Sequence, residues 1–562
     1  MIIERLKEDF YVKIKHERVL LLVSLEVDSL CCAKILQLLF KNDDIRYTLV
    51  PVSGKTELRE AYAAHVEESK CVVMVNCGGC FNILELLQPT SDVKFYIIDS
   101  YRPLLLENIY NHGQVNILIR AADATQLSIP EFEEVFAYLD ESDSDDDEYF
   151  SDEDSGPQHK RRKTGSFEER KRKQLWKKRK QEVMYKYNEF HYHETAASLV
   201  VYDLAWKMSK DNNDILWWAI LGLTDQYVHH KIDQERYIND IGELQQQVLR
   251  HNRTGDDDAA SLSVNSLKIT FDNELRLLLY RHWTLYDSLC HSAYTACRFR
   301  VWTTKGQKKL QEFLAEMGLP LVQCKQKFCA MDKQFKENLR DWIIEHARKY
   351  SLDDICYGSF TAQFGFKNKF CAVDVVSGVA ALMEQNSQEC SLNFLKALDA
   401  LSRGNVQQLI SGLEIAKQQQ TAIVSQARSF TEMKQFVCYG PFVFACVEQG
   451  TLHSELFSRP IALAKLARFF METSVITNKK ARSLPFLLSA PLSSKDGTCI
   501  LIALPPYADD SCKNEFGRAF QQAALRLNTE PSFDFFNAAI VTLKVEERGT
   551  FLNALTALYV NN

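Results

Sequence analysis

Nowhere in its 562 residues does this sequence stay apolar for the length that a bilayer-spanning helix needs. Its first ten residues, MIIERLKEDF, lack the basic-then-apolar layout of a secretory signal. Both absences lead us to expect an intracellular protein with no membrane partner. Metal-ligand spacing is scarce too. Of 16 cysteines, only Cys77 and Cys80 form a Cys-x-x-Cys pair, and no nearby residues add two more zinc ligands at the usual spacing. That pair reads as a turn after a strand, and the other cysteines mostly sit singly in apolar runs, where a reduced thiol acts as a small hydrophobe. Phosphate-cradling glycines are also missing. Ser53-Gly54-Lys55-Thr56 ends like a P-loop, but Leu49 stands where that loop requires glycine and Pro51 stiffens the turn, which argues against nucleotide binding there. After Gly79 no two glycines are adjacent.

What the sequence does contain is a repeated arrangement at strand ends. Val19 to Val23 leads to Glu26 and Asp28, Cys71 to Val75 leads to Asn76, and Phe95 to Ile98 leads to Asp99. With Ile45 to Val50 and Val115 to Ile119 as further β-rich runs, and Ser29 to Phe40 spaced as a helix, the pattern predicts a parallel α/β sheet covered on both faces. In such a sheet the carboxyl ends of neighbouring strands converge on one crevice, so these acids and the amide meet there. Asp214 to Leu223 reads as an apolar helix leading through Gly222 to Asp225. His191 and His193 stand two apart, a spacing that on a helix points them to different faces, so they read as satisfied histidines rather than a metal pair.

Charge is strongly segregated. Residues 140–154 hold ten carboxylates and no base, whereas residues 160–180 hold twelve Lys or Arg against two Glu, so the blocks cancel within a chain of net charge -7. Like-charge runs do not collapse onto a core, which predicts a solvated, disordered insertion over about 138–180. Lys160, Arg161, Arg162 and Lys163, with Arg170, Lys171, Arg172 and Lys173 and then Lys177 to Lys180, fit a nuclear-localisation signal, and a nucleic-acid patch or a solvated helix would look the same. Ser142, Ser144 and Ser151 each have an acidic residue three positions on, as an acid-directed kinase requires.

The chain is long enough for two to four domains. We expect a first α/β domain over 1–234, a helical interaction domain over 235–395 and a second α/β domain over 396–562. In the middle domain, Asp272 to Leu289 is expected to be a helix, and a Thr304-x-x-Gln307 capping box to start another that stops at Gly318. Phe364, Phe366 and Phe370 with Lys367 and Lys369 would suit single-stranded DNA, or equally a half-buried strand. In the last domain Phe436 to Val447, Pro485 to Leu488, Cys499 to Leu504 and Ala538 to Leu543 read as strands.

The Asp-containing strand ends resemble the DHH phosphoesterase superfamily, which includes the exonuclease RecJ. Its members use an Asp-x-Asp, a later Asp, an Asp-His-His and a final Asp in a glycine-preceded turn to hold two divalent ions that activate a water. Carried over, Asp28, Asp99 and Asp225 match, Glu26 lengthens an Asp, Asn76 replaces an Asp, and Ser100 and Tyr101 replace the histidines. An amide and a protonated phenol are poor ligands for hard divalent ions, so the resemblance implies a vestigial site with no metal, no cofactor and no catalytic residue. The missing glycine pair in the last domain implies that the substrate-binding half of such an enzyme is lost as well.

Several further stretches, among them Tyr47 to Gly54, Leu216 to Ile220 with Gly222 to Gln226, Gln311 to Ala315, Phe364 to Lys367 and Phe457 to Pro460, resemble the cell division cycle protein 45 family. That resemblance implies a RecJ-like lobe, an inserted helical domain and a smaller DHHA1-like α/β lobe. It also implies a non-catalytic scaffold of the eukaryotic replicative helicase, acting in DNA replication in the nucleus. The partners it implies are the minichromosome-maintenance hexamer, the GINS tetramer, a replicative polymerase with fork-associated factors, and single-stranded DNA. The alternative is a metal-dependent single-strand exonuclease with a degraded site.

Overall fold

The computed structural model describes residues 1–125, 127–137, 167–255, 267–365, 368–385, 389–477, 479–493, 497–509, 511–527 and 531–560. The first part of the chain forms strands β1 (Ile2–Ile3), β2 (Val19–Ser24), β3 (Tyr47–Val52), β4 (Cys71–Val75), β5 (Lys94–Ile98), β6 (Tyr101–Arg102), β7 (Val115–Leu118) and β8 (Tyr192–His193). Six of them make a parallel sheet in the order β1-β7-β5-β4-β2-β3, and β6 pairs separately with β8. From β2 the chain steps outward to β3 and then returns to place β4 on the other side of β2. The crossovers therefore diverge between β2 and β4, which opens a crevice at the carboxyl ends of those two strands.

β2 is buried on both faces, as its unbroken apolar run requires. Val19, Leu21 and Val23 point toward helices α1 (Val27–Asn42), α2 (Ala197–Lys207) and α3 (Asn213–Val228), while Leu20 and Leu22 point into the core on the opposite face with Val72, Met74, Phe95 and Ile97. Each such side chain, taken fully out of water, contributes about 1.5–3 kcal/mol before chain entropy is subtracted.

Beyond α4 (Gln234–Gly255), strands β9 (Leu267–Leu275), β10 (Cys356–Phe364) and β11 (Asn368–Cys371) form an antiparallel sheet in the order β11-β10-β9, followed by α5 (Ala372–Met383), α6 (Val406–Glu432) and α7 (Pro460–Thr477). The last sheet, β12 (Phe436–Tyr439), β13 (Phe442–Cys446), β14 (Phe486–Ser493), β15 (Thr498–Leu504) and β16 (Ile540–Lys544), is antiparallel except where β13 runs parallel to β14. Helix α6 ties the chain together. Its Leu409 and Leu413 belong to the core of the first lobe, and its Ile423 and Phe430 to the core of the last. It crosses α5 at paired glycines: a Cβ on Gly412 would lie 2.6 Å from the Gly378 carbonyl oxygen, so Gly412 has no room for a side chain.

Several expectations are corrected. Asp272 to Leu289 is not a helix: it holds the end of β9, a 3-10 turn at Tyr280–His282 and the start of helix Leu285–His291. The alternation Leu267, Ile269, Phe271 and pairing with β10 decide the strand, and Leu279 sits in left-handed backbone (φ 57°) with its N–H on Asp374 Oδ1 at 3.0 Å. The middle region is thus helical only in part. Helix Thr304–Glu316 is capped by Thr303 rather than Thr304: Thr303 Oγ1 accepts from the Gly306 N–H at 3.0 Å. Phe436 to Val447 is two strands turned at Gly440 (φ 70°). Residues 167–180 of the expected disordered insertion belong to helix Phe167–Tyr187, while the expected disorder over 140–165 lies outside the described residues.

Candidate functional site

The crevice between β2 and β4 gathers the sequence-predicted residues, and every carboxylate oxygen in it is engaged. Asp28, in the first turn of α1, is 1 % exposed. Its Oδ2 accepts from the Ala197 N–H at 2.8 Å and Asn76 Nδ2 at 3.1 Å, and its Oδ1 from the Ser198 N–H at 3.0 Å and Ser198 Oγ at 2.7 Å. Ala197 and Ser198 open α2, so Asp28 is the anion that satisfies that helix's free N–H groups and faces the positive end of its dipole. Burial raises its pKa, and the four donors offset part of that rise.

Asn76 is fully buried and left-handed (φ 50°), a conformation that asparagine tolerates better than most residues. The turn aims its amide across the crevice: Nδ2 also donates to Ser29 Oγ at 2.9 Å, and Oδ1 accepts from the Ser100 N–H at 2.8 Å. Asp99 closes the next loop, accepting from the N–H groups of Gly79 at 2.7 Å, Gly78 at 3.2 Å and Tyr101 at 2.9 Å. Its carboxyl is likewise pushed up by burial and pulled back by those donors.

Asp225 corrects the sequence reading: it lies within α3, not in a turn, because Gly222 is a helix-interior glycine. A Cβ on Gly222 would sit 2.0 Å from Ser198 Oγ and 2.6 Å from Asp28 Oδ1, so the absence of a side chain lets α3 press against the start of α2. Asp225 Oδ1 meets His229 Nδ1 at 2.8 Å and its Oδ2 accepts from Lys231 Nζ at 3.0 Å. The same ammonium donates to Glu26 Oε2 at 2.7 Å, and the Tyr101 hydroxyl donates to Glu26 Oε1. Burial alone would raise both carboxyls, but Lys231 overrides it and holds Asp225 and Glu26 below the usual carboxylate range. Lys231 is itself held above its ordinary value: burial opposes its charge, and Asp225 and Glu26 more than compensate.

Lys231 and His229 escaped the sequence reading, and His193 is read there only as a satisfied histidine. Lys231 lies just past α3 in a turn and 205 positions from Glu26, so no local spacing marks it. His193 is on β8, not on a helix, and its ring packs on Tyr101 with centroids 4.5 Å apart. Burial, then Lys231, lowers its pKa to about 3. Two positions earlier, His191 pairs with Asn514 through both backbone hydrogen bonds (2.8 and 2.7 Å), which brings the last lobe against the crevice.

The set does not fit a pair of divalent ions. An ammonium occupies the gap between Glu26 and Asp225, Asp28 and Asp99 are bound by backbone donors, and Asn76 and Tyr101 add no charge. Among the described residues no group of three His, Cys, Asp or Glu side chains is placed to hold a metal ion.

The expected DNA-contact cluster is corrected in part. Lys369 is exposed on β11, but Phe370 is 2 % exposed, with its ring 5.4 Å from those of Phe364 and His282, so it is a core side chain and not a stacking platform. Phe366 and Lys367 lie outside the described residues, as do Lys160, Arg161, Arg162, Lys163 and the side chain of Arg170. Lys171, Arg172 and Lys173 lie in the first turns of a described helix, the first two exposed.

The comparisons with known proteins agree along the whole chain. A family model described as CDC45 matches residues 19–156 and 138–558. The human cell division control protein 45 homolog is 41 % identical over 571 residues, spanning 99 % of this chain and 100 % of its own length. The crystal structure of CDC45 from Entamoeba histolytica superposes over 100 % of both chains with a TM-score of 0.70 at 22 % identity, and so shares the fold. Exonuclease RecJ bound to manganese gives a TM-score of 0.39 at 11 % identity over 97 % of this chain and 91 % of its own, too distant to transfer residue roles. With one family model covering nearly its whole length and a full-length human relative, this chain belongs to the CDC45 family.

Proposed function

We propose that the chain is a non-catalytic scaffold subunit of the eukaryotic replicative helicase, assembling in the nucleus with the minichromosome-maintenance hexamer and the GINS tetramer. Family membership supports the broader part of this reading, a role in DNA replication and cell-division control. The partners, including a replicative polymerase, fork-associated factors and single-stranded DNA, belong to the proposal. The observation that carries the non-catalytic part is Lys231, whose ammonium bridges Glu26 and Asp225 where a two-metal hydrolase needs a cation that can activate water. One ammonium offsets charge on both carboxylates but offers no open coordination position.

A direct test is incubation of the purified chain with end-labelled single-stranded DNA in magnesium or manganese. No strand shortening is expected, and Asp99→Ala should leave helicase assembly largely intact unless the loss of its bonds to the Gly78, Gly79 and Tyr101 N–H groups disturbs the loop. Degradation that disappears in Asp28→Ala or Asp99→Ala would replace this reading with the exonuclease. For the scaffold part, charge reversals on exposed helix faces between residues 235 and 395 should abolish co-purification with the hexamer and GINS while leaving thermal unfolding unchanged, because surface changes usually cost within about 0.5 kcal/mol. Intact assembly after such reversals would move the interface elsewhere.

A further inference from the structure

The turn Ser53-Gly54-Lys55-Thr56 opens helix Lys55–His65, and the last lobe already fills the anion position at its N-terminus. The Asp534 carbonyl accepts from the Lys55 N–H at 2.9 Å, and Asp534 Oδ1 accepts from the Thr56 N–H at 2.7 Å and from Thr56 Oγ1 at 2.8 Å. Gly54 makes room for this carboxylate, because a Cβ there would lie 2.3 Å from Asp534 Oδ2. Two residues on, Phe536 stacks on Phe81 with ring centres 6.2 Å apart. The turn that ends like a P-loop is therefore a clasp between lobes. Its Lys55 side chain lies to one side, with Nζ 5.3 Å from the centre of the Phe81 ring.

Beside the clasp, a groove of about 540 Å³ runs between helix Lys55–His65 and helix Ile83–Leu87. One wall is cationic: Lys55 and Arg59 stand four positions apart, which puts both on one helix face. The facing wall carries Glu85 and Leu86, and Phe81 and Leu87 add apolar lining. Glu85 forms no ion pair with Lys55 or Arg59, so the gap is wider than an ion pair spans. Both walls are anchored from behind, since Leu58, Tyr62 and Ile83 are buried in one core and hold the groove preformed. Burial pushes the Lys55 ammonium below its ordinary value, against Cys80 and Asp534, which pull it up. A carboxylate entering the groove would offset that cost.

We infer that the groove binds an acidic peptide segment of a partner protein, with one carboxylate on Lys55 and Arg59 and a neighbouring apolar side chain on Phe81, Leu86 and Leu87. The surface is separate from the crevice and from the helix faces between residues 235 and 395. Arg59 offers a planar fork that grips a carboxylate through two parallel N–H groups, and Lys55 adds a point charge. The lining selects against a polyanion: a row of phosphates along the groove would meet Glu85, whereas a peptide needs a carboxylate on the cationic wall alone and presents backbone N–H groups to Glu85. A nucleotide would need the helix N-terminus for its phosphates, and Asp534 occupies it.

The test is selection of a random-peptide display library on the immobilised full chain, with counter-selection on Arg59→Glu. Enriched sequences should place Asp or Glu within two positions of Leu, Ile, Phe or Met. In fluorescence anisotropy a labelled peptide from that selection should bind roughly tenfold more weakly to Arg59→Ala, the size expected for one lost charge-assisted hydrogen bond, and Arg59→Lys should recover part of the loss. Replacing the peptide's acid by its amide should erase the difference between wild type and Arg59→Ala, which isolates the pair. Leu86→Ser should weaken binding without altering its salt dependence. A selection that yields no sequence lost on Arg59→Glu would overturn the inference, as would enrichment of bare acidic runs with no apolar residue, which would mark an unselective cationic patch. Binding that appears only after deletion of residues 140–154 would also overturn it, assigning the groove to the chain's own acidic run. Arg59 is exposed, so its variants should keep the wild-type unfolding midpoint. Should they unfold, Glu85→Lys on the facing wall decides: it should tighten binding of the same peptide, and unchanged affinity would overturn the inference.

Discussion

The crevice between β2 and β4 and the junction between α5 and α7 both bury carboxylates, but they satisfy them to different degrees. In the crevice Asp28 has four donors, and Asp225 has an ammonium and an imidazole. At the junction Glu384, 7 % exposed, takes only the first free N–H groups of α7, from Ile461 at 2.7 Å and Ala462 at 2.8 Å, and burial outweighs these and Lys465 to raise its pKa to about 7. The Lys231-bridged carboxylates, Asp225 and Glu26, stay ionised and pin helices together across the usual pH range, whereas Glu384, with no hydrogen-bonded ammonium, is left titratable. The crevice is therefore a structural joint, in which groups suited to binding metal are engaged in holding α1, α2 and α3 in register.

The contrast breaks most severely at Lys231. Lys231→Met leaves Glu26 and Asp225 buried without their cation, and breaking a buried pair from one side costs about 3–5 kcal/mol. The pH dependence separates this from a packing loss. Asp225 is held below 3.8, so its contribution is complete above that pH and is lost as pH falls through the lowered value; Lys231 is held above 10.5, so its contribution is complete below that pH and is lost as pH rises through the raised value. The stability gap between wild type and variant, read from denaturant midpoints, should be level between these limits and close outside them. Adding Glu26→Gln to the variant should recover part of the loss.

Next in size is Gly222→Ala. Its methyl group would enter space occupied by Ser198 Oγ and Asp28 Oδ1, forcing α3 away from α2. Overpacking of this kind, with weakened hydrogen bonds to Asp28, should lower stability by roughly 3 kcal/mol. A variant as stable as wild type would show that the two helices are free to shift.

At the junction the sign reverses. Glu384 has a folded pKa raised from 4.5 to about 7, so the folded state holds a proton that the unfolded state has released, and wild-type stability should fall as pH rises between those values. Glu384→Gln removes that slope. It should be close to neutral at the acid end and stabilising by up to about 3 kcal/mol above the folded pKa, because each tenfold change in proton affinity is worth about 1.4 kcal/mol. Parallel melting curves for the two proteins across this range would show instead that the two N–H groups hold Glu384 ionised.

The same contrast explains what was legible in the sequence. Asp28, Asn76 and Asp99 could be read because each abuts a buried strand whose apolar run is unmistakable, and parallel strands bring their ends together whatever the loops do. Gly222 misled because an isolated glycine usually punctuates; here it stays helical since a close approach to Ser198 requires it. Leu275, Leu278 and Leu279 carry helical spacing, yet the pairing of β9 with β10 and the grip of Asp374 on Leu279 come from residues about a hundred positions away. Lys231 depends on a partner more distant still.

The smallest expected effect is at the β10–β11 hairpin. Lys369 is exposed and pairs across the strands with Gln363, while its neighbour Phe370 is held in the core by Phe364 and His282. Lys369→Ala removes a solvated charge and no buried contact, so unfolding midpoints should move by less than about 0.5 kcal/mol. Phe370→Ala, on the inner side of the same strand, should cost about 3–5 kcal/mol through the cavity it leaves. With Phe370 unavailable for stacking, any contribution of Lys369 to single-stranded DNA binding is limited to one phosphate contact, a salt-slope change of roughly 0.7. A larger change in Lys369→Ala would mean that aromatic stacking operates at this hairpin, and that the division between a buried Phe370 and an exposed Lys369 does not hold in the bound state.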